Sequence, residues 1–200
     1  MTFNFFDQIL DRFRSHDSLS LSRKLLEGSA ALLPTDTLPA LAASPNYAAQ
    51  LWEIKKRPPD KPLILMGSSE EELFEFVSPD ALKDAQLMAR RFWPGALTMV
   101  LPARGPVVNY LNPGELNLGM RIPACDVALD LLSKTGPLAT TSANLSGRNP
   151  CMNENEVAMW FPDLPLLGPM PWPKSSGLAS SLIFWEGEES WKVLRSGAVM

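Results

Sequence analysis

Short apolar runs, each halted by a turn signal and separated from the next by a segment of helical periodicity, constrain this 200-residue chain more than any other feature. Ala30–Leu33, Pro62–Met66, Ala96–Leu101, Leu116–Ile122 and Pro137–Thr140 have the length and flanking breakers of buried strands. Between them, residues 18–26, 46–55, 70–76, 81–92 and 127–132 repeat apolar side chains at the spacing of one helix face. A further helix is expected over 154–160, ending before Pro162. Strands alternating with helices predict an α/β fold, and the length suits one compact domain over residues 1–200. Phe5, Phe6, Ile9, Leu10 and Phe13 predict an amphipathic helix within residues 1–17 that packs on this body. Five prolines between Pro162 and Pro173 predict an extended loop without regular hydrogen bonding. Residues 180–184 and 191–194, flanking Glu186-Gly187-Glu188-Glu189, predict a terminal hairpin.

Composition removes several classes of function. Hydrophobic residues make up 46% of the chain and charged residues 20%, which argues against disorder. The formal net charge of -4 disfavours bulk nucleic-acid binding, so a phosphate site has to come from local clustering of basic residues. Cys125 and Cys151 are the only cysteines, too few for a disulfide framework and without metal-ligand spacing, so a reducing compartment, the cytoplasm, is expected. The longest uncharged apolar stretch, Phe92–Ala103, is broken by Pro94 and Gly95 and is too short to span a bilayer. The first 17 residues carry acids and lack a signal-peptide pattern. His16, the only histidine, stands at a helix boundary away from every motif, and histidine-dependent hydrolysis is not expected.

Polar clusters follow the apolar runs at the places where an α/β chain builds ligand sites. Lys55 and Arg57 point the same way if the backbone there is extended, and Lys61 adds a cation before the next strand; together they suit a triphosphate, or else form a solvated charge run. Thr140, Thr141, Ser142 and Asn144 offer uncharged donors and acceptors, either for a ligand or for a helix cap or Asx turn. Thr35, Asp36 and Thr37 admit the same two readings. Arg121 lies inside an apolar strand and requires an anionic partner: a carboxylate or phosphate, or an internal salt bridge to Asp126 or Asp130. Ser180 and Arg195 stand on the two arms of the predicted hairpin, either within reach of one pocket or with Arg195 as an ordinary surface charge. Neither a Gly-x-x-x-x-Gly-Lys loop nor a Gly-x-Gly-x-x-Gly turn is present, so a nucleotide site here is of another type.

Taken in order, Pro34-Thr35-Asp36-Thr37, Lys55-x-Arg57-Pro58, Lys61-Pro62-Leu63, Trp93-Pro94-Gly95, Arg121-Ile122-Pro123, Ser142-Ala143-Asn144 with Ser146-Gly147, and Arg195-Ser196-Gly197-Ala198 resemble the Sua5/YciO/YrdC family. The resemblance covers about residues 18–199 and implies a twisted mixed sheet with flanking helices and a deep concave cavity, in the short, single-domain type. It implies threonylcarbamoyl-AMP synthase activity: L-threonine, bicarbonate and ATP give threonylcarbamoyl-adenylate and pyrophosphate for modification of adenosine 37 in tRNA. Carried over, Lys55, Arg57, Ser142 and Asn144 are catalytic, and Lys55, Arg57, Lys61, Asn144 and Arg195 bind the nucleotide. Thr35, Arg121, Ser142 and Ser180 hold the threonine, and magnesium arrives on the phosphates of ATP without a protein metal site. Direct partners are the small substrates, with tRNA or tRNA-modification proteins served indirectly and no membrane. The chain reads Pro39-Ala40-Leu41 where the family commonly has Tyr-Gly-Leu, and Met66 and Cys125 where histidines are common. Those departures give the alternative of a YciO-like paralogue that binds nucleotide or RNA, or hydrolyses the adenylate, without efficient synthesis.

Overall fold

A computed structural model describes residues 14–199. The elements are, in order, β1 (Ser15–His16), α1 (Ser18–Leu26), β2 (Ala31–Leu33), β3 (Ala40–Ala43), a 3-10 turn (Pro45–Tyr47), α2 (Ala49–Lys55), β4 (Ile64–Met66), α3 (Glu70–Phe74) and α4 (Pro79–Phe92). There follow β5 (Leu97–Pro102), α5 (Val107–Leu111), β6 (Asn117–Arg121), α6 (Asp126–Thr135), β7 (Leu138–Ser142), α7 (Glu154–Trp160), β8 (Leu166–Leu167), β9 (Ser181–Gly187) and β10 (Ser190–Arg195). Local chemistry sets several boundaries. Asp17 accepts from Ser20 N at 2.7 Å to open α1, and Ser69 and Asn153 cap α3 and α7 in the same way. Gly28, at φ 104°, takes the chain out of α1 toward β2.

The strands form one mixed sheet in the order β1-β8-β2-β3-β7-β4-β6-β5-β9-β10. On one face Leu32, Leu41, Leu65, Met99, Leu118 and Met120 join the main core with residues of α2, α4, α5 and α7. On the other, Ala31, Leu33, Ala40, Ala42 and Leu138 pack with Leu21 and Leu25 of α1 and Ala128, Leu131 and Leu132 of α6. These two helices cover the end of the sheet that carries β8, β2, β3 and the start of β7, reaching Met66 of β4. The same face of β4, β6, β5 and β9 is left as the floor of a hollow.

The alternation of strands and helices matches the sequence reading, and β9 and β10 pair antiparallel as the predicted hairpin. Besides β1, β8 and the 3-10 turn, two elements are additional. Ala-Leu-Ala-Ala of β3 has weak strand propensity, yet it lies between β2 and β7 and is buried along its length, so pairing overrides propensity. Helix α5 is a single short turn with no sequence signature of its own. The proline-rich segment differs from expectation: Leu166 and Leu167 form β8 between β1 and β2, and Leu32 N donates to Pro165 O at 2.9 Å. Pro165 and Pro169 flank this strand, leaving its paired N–H groups intact.

The helix expected within residues 1–17 falls mostly outside the described residues. Of the rest, Ser15–His16 are strand, and Arg14 donates to the carbonyls of Ala158, Phe161 and Leu164 at the end of α7. Among the described residues, no helix is long and apolar enough to cross a membrane.

Candidate active site

The uncovered half of the sheet forms a cavity of about 480 Å³, within the size range of small-ligand sites. Its floor is built by period-two alternation: Thr140 and Ser142 of β7, Ile64 and Met66 of β4, Gly119 and Arg121 of β6, Val100 of β5 and Leu182 of β9 all reach it. Arg57, Lys61, Arg121 and Arg195 line it, and among the described residues no carboxylate does. A chain of net charge -4 thus concentrates positive charge in one hollow.

One end is organised by the chain break after α2. Lys56 takes a left-handed conformation, φ 51°, so the backbone from Lys55 to Arg57 is not extended, and Arg57 lines the cavity while Lys55 does not, correcting the same-side expectation. Arg57 Nη1 donates to Thr141 Oγ1 at 3.1 Å and Nη2 to Pro62 O at 3.0 Å, while its buried Nε has no partner. Lys55 turns inward: its ammonium donates to Ser142 O and, at 3.0 Å, to Asn144 Oδ1, behind the cavity wall rather than in it. The Asn144 Oδ1 also accepts from Ser142 Oγ at 2.7 Å, and its amide nitrogen donates to the carbonyls of Leu145 and Arg148. Lys55 and Asn144 therefore lock the loop after β7 and present Ser142 and Thr141 to the cavity. Burial, reinforced by the nearby Arg57 charge, pulls the Lys55 ammonium down to about 7.

At the opposite end Arg121 is 4% exposed and bonded through all three nitrogens. Nε donates to Gly95 O at 2.9 Å, Nη1 to Thr37 Oγ1 at 2.7 Å, and Nη2 to Asp36 Oδ1 at 2.6 Å. The internal partner is Asp36; Asp126 and Asp130, the sequence alternatives, lie elsewhere, Asp130 pairing with Lys134 on α6. Burial lowers the Arg121 pKa, and Asp36 opposes that shift. A guanidinium has five N–H donors, so the three bonds leave two for a ligand. Thr35 lines the cavity, but its hydroxyl gives its hydrogen to Leu38 O at 2.7 Å and accepts from Thr37 N at 3.1 Å, which fixes the position of Thr37.

Ser180 and Arg195 meet at this end as expected. Ser180 Oγ lies 2.8 Å from Thr98 Oγ1, and Arg195 Nη2 donates to Ser180 O at 2.9 Å. Gly197, in the Arg195-Ser196-Gly197-Ala198 run, passes so close to the 179–180 backbone that a Cβ would lie 2.3 Å from Ala179 O. Only glycine permits that approach.

Of the residues singled out from sequence, Thr35, Arg57, Lys61, Arg121, Ser142, Ser180 and Arg195 line one cavity, with Lys55 and Asn144 directly behind it. Thr37, named in the first polar cluster, lines the cavity as well, whereas sequence reasoning missed Asn112, Gly119, Val100 and Leu182. The signal for Gly119 was available: on a strand it shares a face with Arg121, two residues on.

The family model Sua5_yciO_yrdC, described as telomere recombination, matches residues 23–197. A Pyrococcus abyssi protein named threonylcarbamoyl-AMP synthase is 36% identical over 139 residues, 68% of this chain and 41% of that protein. A Klebsiella pneumoniae protein of the same name is 34% identical over 135 residues, 65% of this chain and 71% of that protein. Among solved structures, P. abyssi Sua5 complexed with L-threonine superposes with a TM-score of 0.82 at 30% identity, over 90% of this chain and 54% of the other. The chain therefore spans about half or less of the P. abyssi proteins it matches.

Proposed function

Since the chain belongs to the Sua5/YciO/YrdC family, we propose that it makes threonylcarbamoyl-adenylate and pyrophosphate from L-threonine, bicarbonate and ATP. The observation that carries this reading is one cavity with cations and hydroxyls at both ends and no carboxylate in its lining. Such a site suits a polyanion beside an amino-acid carboxylate.

In this reading the threonine amine and bicarbonate condense to a carbamate with loss of water. A carbamate oxygen then attacks the α-phosphorus of ATP, and the bond to the β-phosphate oxygen breaks to release pyrophosphate. Arg57 and Lys61 neutralise the phosphates, with Ser142 at the reacting end, while Lys55 and Asn144 hold that wall in place. The two spare donors of Arg121 take the threonine carboxylate, with Thr35 acting through Thr37, and Ser180 and Arg195 close the adjoining wall. No protein nucleophile is needed. Cations and hydroxyls do not suit a protein-held divalent metal, so magnesium enters on the phosphates. The adenylate serves tRNA modification through other proteins. Residues 1–200 act as one YrdC-like domain, and the buried free thiols of Cys125 and Cys151 fit a cytoplasmic setting.

Met66 in the cavity wall favours a second reading, a paralogue that binds nucleotide without efficient synthesis. Pyrophosphate release separates the two. Synthase activity requires release that depends on both threonine and bicarbonate and that falls at least a hundredfold in Arg57→Ala. ATP binding that is indifferent to threonine, with no adenylate formed, rejects synthesis in favour of the second reading.

A further inference from the structure

A second hollow, of about 650 Å³, lies on the outer side of Arg57, between the 3-10 turn, α2 and α5. No step of the scheme above uses it. Its floor is the ring of Trp52, 8% exposed and fixed by a bond from Nε1 to Lys61 O at 2.9 Å. Pro45, Pro59, Pro113 and the ring of Tyr110, 40% exposed, form its sides. Asn46 on the turn and Asn109 on α5 stand exposed along it, and neither amide nor the Tyr110 hydroxyl bonds to a described residue. Lys56 is exposed there too and forms no ion pair among the described residues. Arg57 lines this groove and the active cavity alike.

Aromatic faces and proline rings offer flat apolar contact with little side-chain freedom to lose, and the unengaged amides beside them offer hydrogen bonds. A chain that fits has an apolar surface and backbone carbonyls without internal partners. Polyproline II has both, and its shape is set before binding. A helix or a paired strand has already engaged its carbonyls. Lys56 and Arg57 stand against Glu53 alone in the lining, so a carboxylate on the incoming chain is favoured at that end.

We propose that this groove docks an extended proline-rich segment bearing a carboxylate, carried by another protein, and that its occupancy is felt in the active cavity through Arg57. The docking stands apart from the proposed function, whereas the coupling rests on ATP occupying the cavity. Given that function, the partner this position suits is the protein that consumes the adenylate, because a carbamic–phosphoric anhydride hydrolyses in water.

The test is calorimetry on the full chain with a blocked peptide of one glutamate between two runs of four prolines. A dissociation constant of about 0.1 mM is expected. Glycine in place of every proline, which removes the preformed shape, should weaken binding about tenfold. Tyr110→Ala should weaken the proline peptide about tenfold at an unchanged thermal midpoint. Lys56→Gln should remove most of the preference for glutamate over glutamine in the peptide. Saturating peptide should change the affinity for ATP by about twofold or more. No binding to wild type at about 1 mM, equal affinity for the glycine peptide, or full affinity in Tyr110→Ala would each overturn the docking site. Self-association of the chain that Tyr110→Ala abolishes would give the groove to a second copy and overturn it as well. Peptide binding with an unchanged ATP affinity would overturn the coupling alone. Absence of ATP binding would overturn the proposed function and leave the docking groove standing.

Discussion

Replacing Asp36 by alanine removes the carboxylate that, among the described residues, pairs with Arg121. The guanidinium side chain is 5% exposed and that of Asp36 17%, so the variant strands a buried cation whose remaining partners, Gly95 O and Thr37 Oγ1, are neutral. Breaking a buried pair by removing one partner costs about 3–5 kcal/mol, and the partial exposure of Asp36 places the expected loss near the lower end, about 3 kcal/mol. For a chain of this length that lowers the thermal midpoint by about 6–12 °C. Asp36→Asn retains an acceptor for Arg121 Nη2 and for Ala124 N but loses the charge, so about half the loss is expected. In Asp36→Ala/Arg121→Met the stranded charge is gone, and the double variant should be more stable than Asp36→Ala alone. The assay is urea unfolding of the single and double variants, with Asp126→Ala as a control expected near zero. A loss below about 1 kcal/mol for Asp36→Ala, or additive losses in the double variant, would refute the claim that Asp36 sustains Arg121.

Two further perturbations follow from the same geometry. The folded pKa of Lys55, about 7, lies below its ordinary 10.5, so above pH 7 the unfolded chain binds a proton that the folded chain does not, and stability should rise with pH. Between pH 7 and 9.5 the gain is at most about 3 kcal/mol, and urea midpoints should show it in wild type and not in Lys55→Met; equal slopes would remove the buried-ammonium account. Gly197→Ala forces a methyl to within 2.3 Å of Ala179 O and should displace the backbone that carries Ser180 and Arg195. A fall of several degrees in thermal midpoint with weakened nucleotide binding is expected, and wild-type values for both would show that the strand end gives way freely.

The legible parts of the fold are those in which one residue type has few physical options. Helix α1 has its Asp17 cap and Gly28 stop, and β6 pairs an apolar run with an arginine that has to face something. The opaque parts depend on partners distant in sequence. Ala40–Ala43 is a strand because β2 and β7 flank it, and Leu166–Leu167 is one because β1 and β2 offer open edges, despite the prolines around it. At the site, spacing identified Arg57, Arg121 and Ser142, but the backbone conformation at Lys56 sends Lys55 behind the cavity wall that Arg57 lines. Asp36 as the partner of Arg121 spans 85 residues, a pairing no local pattern carries.

The three arginines of the cavity are anchored by the protein itself, Arg121 by Asp36, Thr37 and Gly95, Arg57 by Thr141 and Pro62, and Arg195 by Ser180, and behind the wall Lys55 is held by Ser142 and Asn144. Long side chains held this way have already lost their rotamer freedom, so a ligand does not have to order them on binding. The cost falls on the folded state, which keeps several buried positive groups near one another with one carboxylate beside them. Stability and affinity are therefore coupled with opposite sign at this site. Variants that neutralise Lys55 should gain stability at neutral pH and lose ligand binding, because the ammonium that is costly to bury is also what fixes the Ser142 wall.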